Sequence, residues 1–161
     1  MNKISKLFIF LFFVCMASKA QKPVYKTLND SVFNVGDVIK VPTILFDCEQ
    51  GRTLFESLDT LKLICDFLDK NRNLKVQLST NTDSRGSAKH NIDITQARAK
   101  RCADYIVVEC KIDEKRIKAK GYGESKLLIL DEEIFKAKTK AEKERLHAIN
   151  RRTELIVTAV N

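Results

Sequence analysis

Strand-like and helix-like segments alternate along this 161-residue chain, and that order predicts an α+β fold, an α/β sandwich with helices packed on a mixed β-sheet. Three observations carry the prediction. Apolar residues recur at three- and four-residue steps across residues 52–71, the spacing of one helix face. Residues 74–79, LKVQLS, alternate apolar and polar side chains as a half-buried strand does. Residues 153–160, TELIVTAV, have the β-branched content of a further strand.

Taken in order, residues 21–36 are polar and without sustained periodicity, and are expected to form an N-terminal linker or arm before a domain spanning 37–161. Residues 37–46, DVIKVPTILF, read as extended chain, with Pro42 marking an edge or a break because proline cannot donate to a ladder. In 52–71, Leu54, Leu58, Leu61, Ile64, Cys65 and Leu68 share one helix face. The strand at 74–79 sends Leu74, Val76 and Leu78 to one side, and a loop at 80–89 follows, with Gly86 and Ser87 as turn residues. Helical spacing resumes over 91–109, with Ile94, Ala97, Cys102, Tyr105 and Ile106 on or near one face. Residues 112–120 read as a turn and a short strand, RIKAK, broken by Gly121-Tyr122-Gly123. Residues 131–147, dense in Lys, Glu and Ala, read as one mostly solvated helix before the closing strand.

The chain holds 29 Lys+Arg against 21 Asp+Glu, a formal charge of +8, and much of the excess sits at one end. Residues 1–20 contain Lys3, Lys6 and Lys19, no acid, and an unbroken apolar run over 7–17. That is the pattern of a cleaved secretory signal peptide, too short to span a bilayer, with small residues Ser18 and Ala20 before Gln21. Cleavage lowers the charge by three and leaves little electrostatic footprint for nucleic acid, which is not expected as a partner. Lipidation at Cys15 is a minority reading, because Val14 is bulkier than lipoprotein processing normally tolerates. Export delivers Cys48, Cys65, Cys102 and Cys110 to an oxidising compartment, where four thiols allow three connectivities that spacing does not separate. Cys65 and Cys102 lie on apolar helix faces and are expected to behave as small buried hydrophobes. His90 and His147 are the only histidines, neither at ligand spacing from a cysteine, so no metal is expected.

No nucleophile elbow, phosphate-cradling loop or dinucleotide fingerprint occurs, and the reading is a non-enzyme without a cofactor. What stands out is Thr82-Asp83-Ser84-Arg85-Gly86-Ser87 between a strand and a helix, followed by Asn91-Ile92-Asp93-Ile94-Thr95-Gln96-Ala97-Arg98. Phe46-Asp47 ends the first strand region, Gly121-Tyr122-Gly123-Glu124-Ser125 follows the third, and Asn150-Arg151-Arg152-Thr153-Glu154 enters the last. In this order, over about residues 37–158, the segments resemble the signature of the OmpA-like peptidoglycan-binding domain family. That signature is a Thr-Asp-x-x-Gly loop followed by Asn-x-x-Leu-Ser-x-x-Arg-Ala, with Ile94 and Thr95 here in place of Leu and Ser.

The resemblance implies a βαβαβ-type domain, exported to the periplasm of a Gram-negative bacterium and associated with the outer membrane or cell wall. It also implies non-covalent binding of peptidoglycan through the diaminopimelate of stem peptides. An acid and a base near one helix N-terminus suit such a zwitterion, since a carboxylate pairs with an ammonium and a guanidinium forks onto a carboxylate. Carried over by the resemblance, Asp83 takes the ammonium and Arg98 the carboxylate. Thr82, Asn91 and Thr95 hydrogen-bond or orient the ligand, while Asp47 and Arg151 bring polar groups to the pocket rim. Alternation along a strand sends Arg151 and Arg152 to opposite faces. The chain departs from the family where Gly-His before Thr-Asp is replaced by Thr80-Asn81, and altered affinity is the expected consequence. With too little chain before residue 37 for a membrane barrel, anchoring is expected through an outer-membrane or periplasmic protein partner. The alternative expectation is a periplasmic adaptor that keeps the fold, has lost peptidoglycan binding and binds another protein.

Overall fold

A computed structural model of the chain describes residues 24–46 and 57–161. The expected leader at 1–20, Cys15, Asp47 and Cys48 lie outside the described residues. Strands β1 (Tyr25–Thr27), β2 (Val38–Lys40), β3 (Leu74–Thr80), β4 (Ile117–Gly121) and β5 (Thr153–Val160) form one mixed sheet in the order β1-β2-β5-β3-β4. β5 fills the space between the mutually parallel β2 and β3 and runs antiparallel to both, while β1 and β4 pair in parallel at the two edges.

The sheet begins inside the segment expected to be a linker. β1 pairs with β2 from Tyr25 to Thr27, and Phe33 is buried with its ring 5.3 Å from that of Phe67, edge to face. A three-residue edge strand is held by backbone bonds and needs no periodicity, which is why polar composition concealed it. The strand expected at 37–46 is also shorter, ending at Lys40, two residues before Pro42.

Helices α1 (Leu58–Lys70) and α2 (Ala88–Cys110) cover one face of the sheet. Leu61, Ile64 and Leu68 of α1 and Ala99, Cys102 and Ile106 of α2 join Leu78, Leu155 and Ile39 in a single core. The Ser87 side chain accepts the His90 N–H and starts α2 three residues earlier than the apolar spacing indicates. Gly121 explains the Gly-Tyr-Gly break: a Cβ there would lie 2.2 Å from the backbone nitrogen of Gln96, so strand and helix touch directly. Gln96 accepts the Gly121 N–H at 2.9 Å, satisfying a backbone group of this edge strand.

Two further expectations are corrected. Cys65 is not simply a buried thiol: it forms a disulfide with Cys110, tying α1 to the end of α2 across 45 residues. An apolar helix face predicts burial, and burial does not distinguish a thiol from a half-cystine; Cys102 is buried as expected. The single helix expected over 131–147 is two, α3 (Asp131–Lys136) and α4 (Lys140–Asn150). Thr139 accepts the Glu142 N–H and the Glu142 carboxylate accepts the Lys138 N–H, a reciprocal cap that starts a new helix inside a helix-prone stretch. Asn150 is fully buried, accepting the N–H groups of Leu128 and Ile129 and donating to the Ile129 carbonyl, so it clamps the chain that leads into α3.

Gly121→Ala is expected to lower the urea midpoint through a loss of about 3 kcal/mol, because backbone rather than a movable side chain meets the new methyl. Cys65→Ser combined with Cys110→Ser, or reduction of the native chain, is expected to lower the unfolding free energy by about 3 kcal/mol, read from urea unfolding with and without reductant.

Candidate functional site

β3 runs into the loop 81–87 that leads to α2, and neighbours on both sides fix that loop. The Asn81 N–H donates to the Arg152 carbonyl and the Thr82 N–H to the Gly123 carbonyl, both at 2.9 Å. Thr80 and Asn81, the departure from the family signature, are accommodated without backbone strain. The Thr80 hydroxyl donates to the Thr95 carbonyl at 2.9 Å, and neither residue adopts a positive φ. Gly86 does, at +106°, where a side chain would be strained. Asn91 donates to the Arg85 carbonyl at 3.2 Å and to Glu124 at 2.6 Å. Thr95, fully buried, accepts the Gly123 N–H at 2.9 Å and donates to the Asn91 carbonyl at 2.7 Å. Asn91 and Thr95 therefore lock the loop, the start of α2 and Gly123 together, and any orienting role toward a ligand passes through the loop.

Asp83 stands in this frame with 4% of its surface exposed. One carboxylate oxygen accepts the Arg85 backbone N–H at 3.0 Å and Arg85 Nε at 3.2 Å; the other accepts Arg85 Nη2 at 2.7 Å and Arg151 Nη1 at 2.6 Å. Glu144 of α4 receives the same two guanidiniums, Arg85 at 2.9 Å and Arg151 at 2.8 Å, closing a ring of four alternating charges. Burial alone would raise the Asp83 pKa, but the hydrogen bonds from Arg85 and Arg151 outweigh it and hold the carboxyl at about 2. The bonds from Arg85 and then Arg151 lower the Glu144 pKa, and the bond to Asp83 raises that of Arg85. Ser84 donates to Asp131 in the first turn of α3, so the helical pair expected to be a solvated face is docked on the loop.

The structure brings Asp83 and Arg151 together and sends Arg152 the other way to pair with Glu154 at 2.9 Å. Arg98 lies outside the ring, about one turn beyond Thr95 on α2, its guanidinium 5.0 Å from the centroid of the Phe46 ring. Thr82 is buried next to Asp83 in the chain, its hydroxyl without a hydrogen-bond partner among the described residues. Asp47 falls outside the described residues. Two members of the ring were missed. Arg85 carried a weak signal, since a loop aspartate commonly accepts the backbone N–H two residues on. Glu144 carried none, being one acid among many in a Lys/Glu-rich stretch.

The sequence profile described as "OmpA family" matches residues 50–145. Outer membrane porin F of Pseudomonas aeruginosa is 28% identical over 93 residues, which cover 57% of this chain and 27% of that protein, so the match spans about a quarter of its length. Among solved structures, the peptidoglycan-associated lipoprotein from Burkholderia pseudomallei has a TM-score of 0.55 at 20% identity, covering 71% of this chain and 87% of that one. The cell wall anchor of the T6SS from Pseudomonas aeruginosa has a TM-score of 0.55 at 24% identity, covering 71% and 75%. These likenesses establish the fold.

A carboxyl whose folded pKa lies below its unfolded value contributes stability that is complete above the unfolded value of 3.8 and is lost as pH falls through about 2. Acidification through that window is expected to remove about 2 kcal/mol of unfolding free energy. Asp83→Asn should be less stable at neutral pH yet flatter across the window, measured by urea unfolding at a series of pH values.

Proposed function

Because the chain belongs to the OmpA family, we propose that it is an exported envelope protein that binds peptidoglycan non-covalently through the diaminopimelate of stem peptides, linking the cell envelope or an outer-membrane partner to the wall. The observation that carries this reading is Asp83: a buried carboxylate kept ionised at the mouth of α2, with counterions supplied by exposed arms rather than by the core. Arg85 has 52% of its side chain in solvent and Arg151 37%. Arg85 can turn into water while its backbone N–H keeps its bond to Asp83, which frees one carboxylate face for the ligand ammonium. Arg98 takes the ligand carboxylate, and the unused Thr82 hydroxyl offers a further hydrogen bond beside Asp83. Arg151 contributes to the rim, and Asp47, outside the described residues, is assigned there by the family resemblance alone. The role is one of binding rather than catalysis.

Two observations of other kinds support it. The similar structures include one described as peptidoglycan-associated and one as a cell wall anchor. The Cys65–Cys110 disulfide suits a compartment outside the reducing cytosol.

Titration of meso-diaminopimelate, and of a stem peptide containing it, is expected to show binding that falls at least about tenfold in Asp83→Ala and in Arg98→Ala, each removing a charge-assisted contact. Arg85→Ala, which removes the competing cation but not the backbone bond, is expected to bind more tightly than the native chain. Calorimetry reads all four proteins. A folded native chain that leaves purified sacculi unbound would instead favour the adaptor that binds another protein.

A further inference from the structure

The face of the sheet opposite α1 and α2 is basic, and the strand register shows how. Lys120, Ser79, Glu154 and Lys40 form one row across β4, β3, β5 and β2. The next row is Lys118, Gln77, Ile156, Val38 and Tyr25. Glu154 is the one acid that the five strands contain, and Arg152 occupies it at 2.9 Å. Lys40, Lys118 and Lys120 stand exposed on this face, and Lys126 joins them from the chain following β4.

Of these lysines, Lys126 lines a cavity of about 240 Å³, together with Arg152 and Glu154. Val38 and Ile156 line it on the sheet, with Tyr25, Tyr122 and Leu127 among its walls. Each tyrosine carries a cation on its ring face: Lys126 Nζ is 3.7 Å from the Tyr122 centroid and Lys40 Nζ is 4.5 Å from that of Tyr25. Arg152 donates to the Lys126 carbonyl at 3.0 Å and pins that wall. Asn81 also lines the cavity, 5% exposed, and its side-chain amide oxygen has no hydrogen-bond partner among the described residues. A buried acceptor left unanswered is unfavourable, and a donor brought to it recovers that loss.

We propose that this face is a docking site for an acidic segment of a partner protein, which seats one apolar side chain in the cavity, sets its carboxylates on the lysines and answers Asn81 with a backbone N–H. Charge selects the occupant. The chain's own residues 1–23 contain Lys3, Lys6, Lys19 and Lys22 and no acid, and a second copy of this face would meet it with like charge. An anionic bilayer satisfies the lysines but brings no N–H donor into a concave site. The site is independent of the peptidoglycan reading, since Arg151 and Arg152 point to opposite sides and both sites can be filled together.

The test is NMR titration of the labelled mature chain with a short synthetic Glu/Asp peptide carrying one leucine, with its Gln/Asn counterpart, and with phosphatidylglycerol vesicles. The acidic peptide is expected to shift Tyr25, Tyr122 and Ile156, to bind roughly tenfold more weakly to Lys120→Glu/Lys126→Glu, and to bind Asp83→Asn unchanged. The proposal is overturned by an equal response to the neutral peptide, by shifts centred on residues 83–87, or by no response at millimolar peptide. Vesicle binding through the same lysines without a peptide response would overturn it in favour of a membrane-facing surface.

Discussion

A carboxylate withdrawn from water must find its counterions inside the protein, and the arrangement around Asp83 follows from that requirement. Its cations arrive from two directions, Arg85 from the same loop and Arg151 from the entry to β5, and Glu144 of α4 balances them. The loop cannot therefore be described apart from α4, and α3 joins through Ser84 and Asp131. Below the ring, Asn91, Thr95 and Gly123 form a hydrogen-bonded scaffold that Asn91 ties to the Arg85 carbonyl and to Glu124. Charge sits at the surface of the site and hydrogen-bonded packing beneath it, so the polar groups that a ligand would contest are those already half in solvent.

The two faces of the sheet divide the remaining work. Toward α1 and α2, β3 and β5 present Leu78, Val76, Leu155 and Val157, and the Gly121 contact with α2 leaves no room for a side chain. The face away from the helices carries Lys40 on β2 and Lys118 and Lys120 on β4, together with the Arg152–Glu154 pair and Asn81. Thr80, the last residue of β3, and Asn81, the first of the loop, turn to opposite sides: Thr80 bonds α2, and Asn81 lines the far cavity. A departure from the signature that seemed to concern the loop thus bears on the fold at one position and on the opposite surface at the next.

Periodicity made much of this legible. The faces of α1 and α2, the alternation in β3 and the extent of β5 follow from apolar spacing, because burial on one side leaves that trace in sequence. The opposite directions of Arg151 and Arg152 follow from the same alternation. What the spacing could not reveal depends on partners distant in the chain or on backbone alone: β1, held by a few ladder bonds; the Cys65–Cys110 pairing; the break at Thr139; and Glu144, whose role exists only once α4 has packed against the loop.

Under the proposed reading, selectivity depends on which charges the ligand exchanges. An ammonium that displaces Arg85 from Asp83 exchanges one cation for another at a carboxylate that was never unpaired. The gain at that end is therefore a difference between two similar charge-assisted bonds, with desolvation of the incoming ammonium set against rehydration of a guanidinium already half in water. A simple amine, such as a lysine side chain, offers no more than this exchange. Diaminopimelate adds a carboxylate on the same terminal carbon, and a guanidinium is the side chain suited to take it in a planar, two-pronged grip. The difference between a wall cross-link residue and an ordinary amine must then arise at Arg98, while Asp83 and its ring set the charge that any ligand has to match.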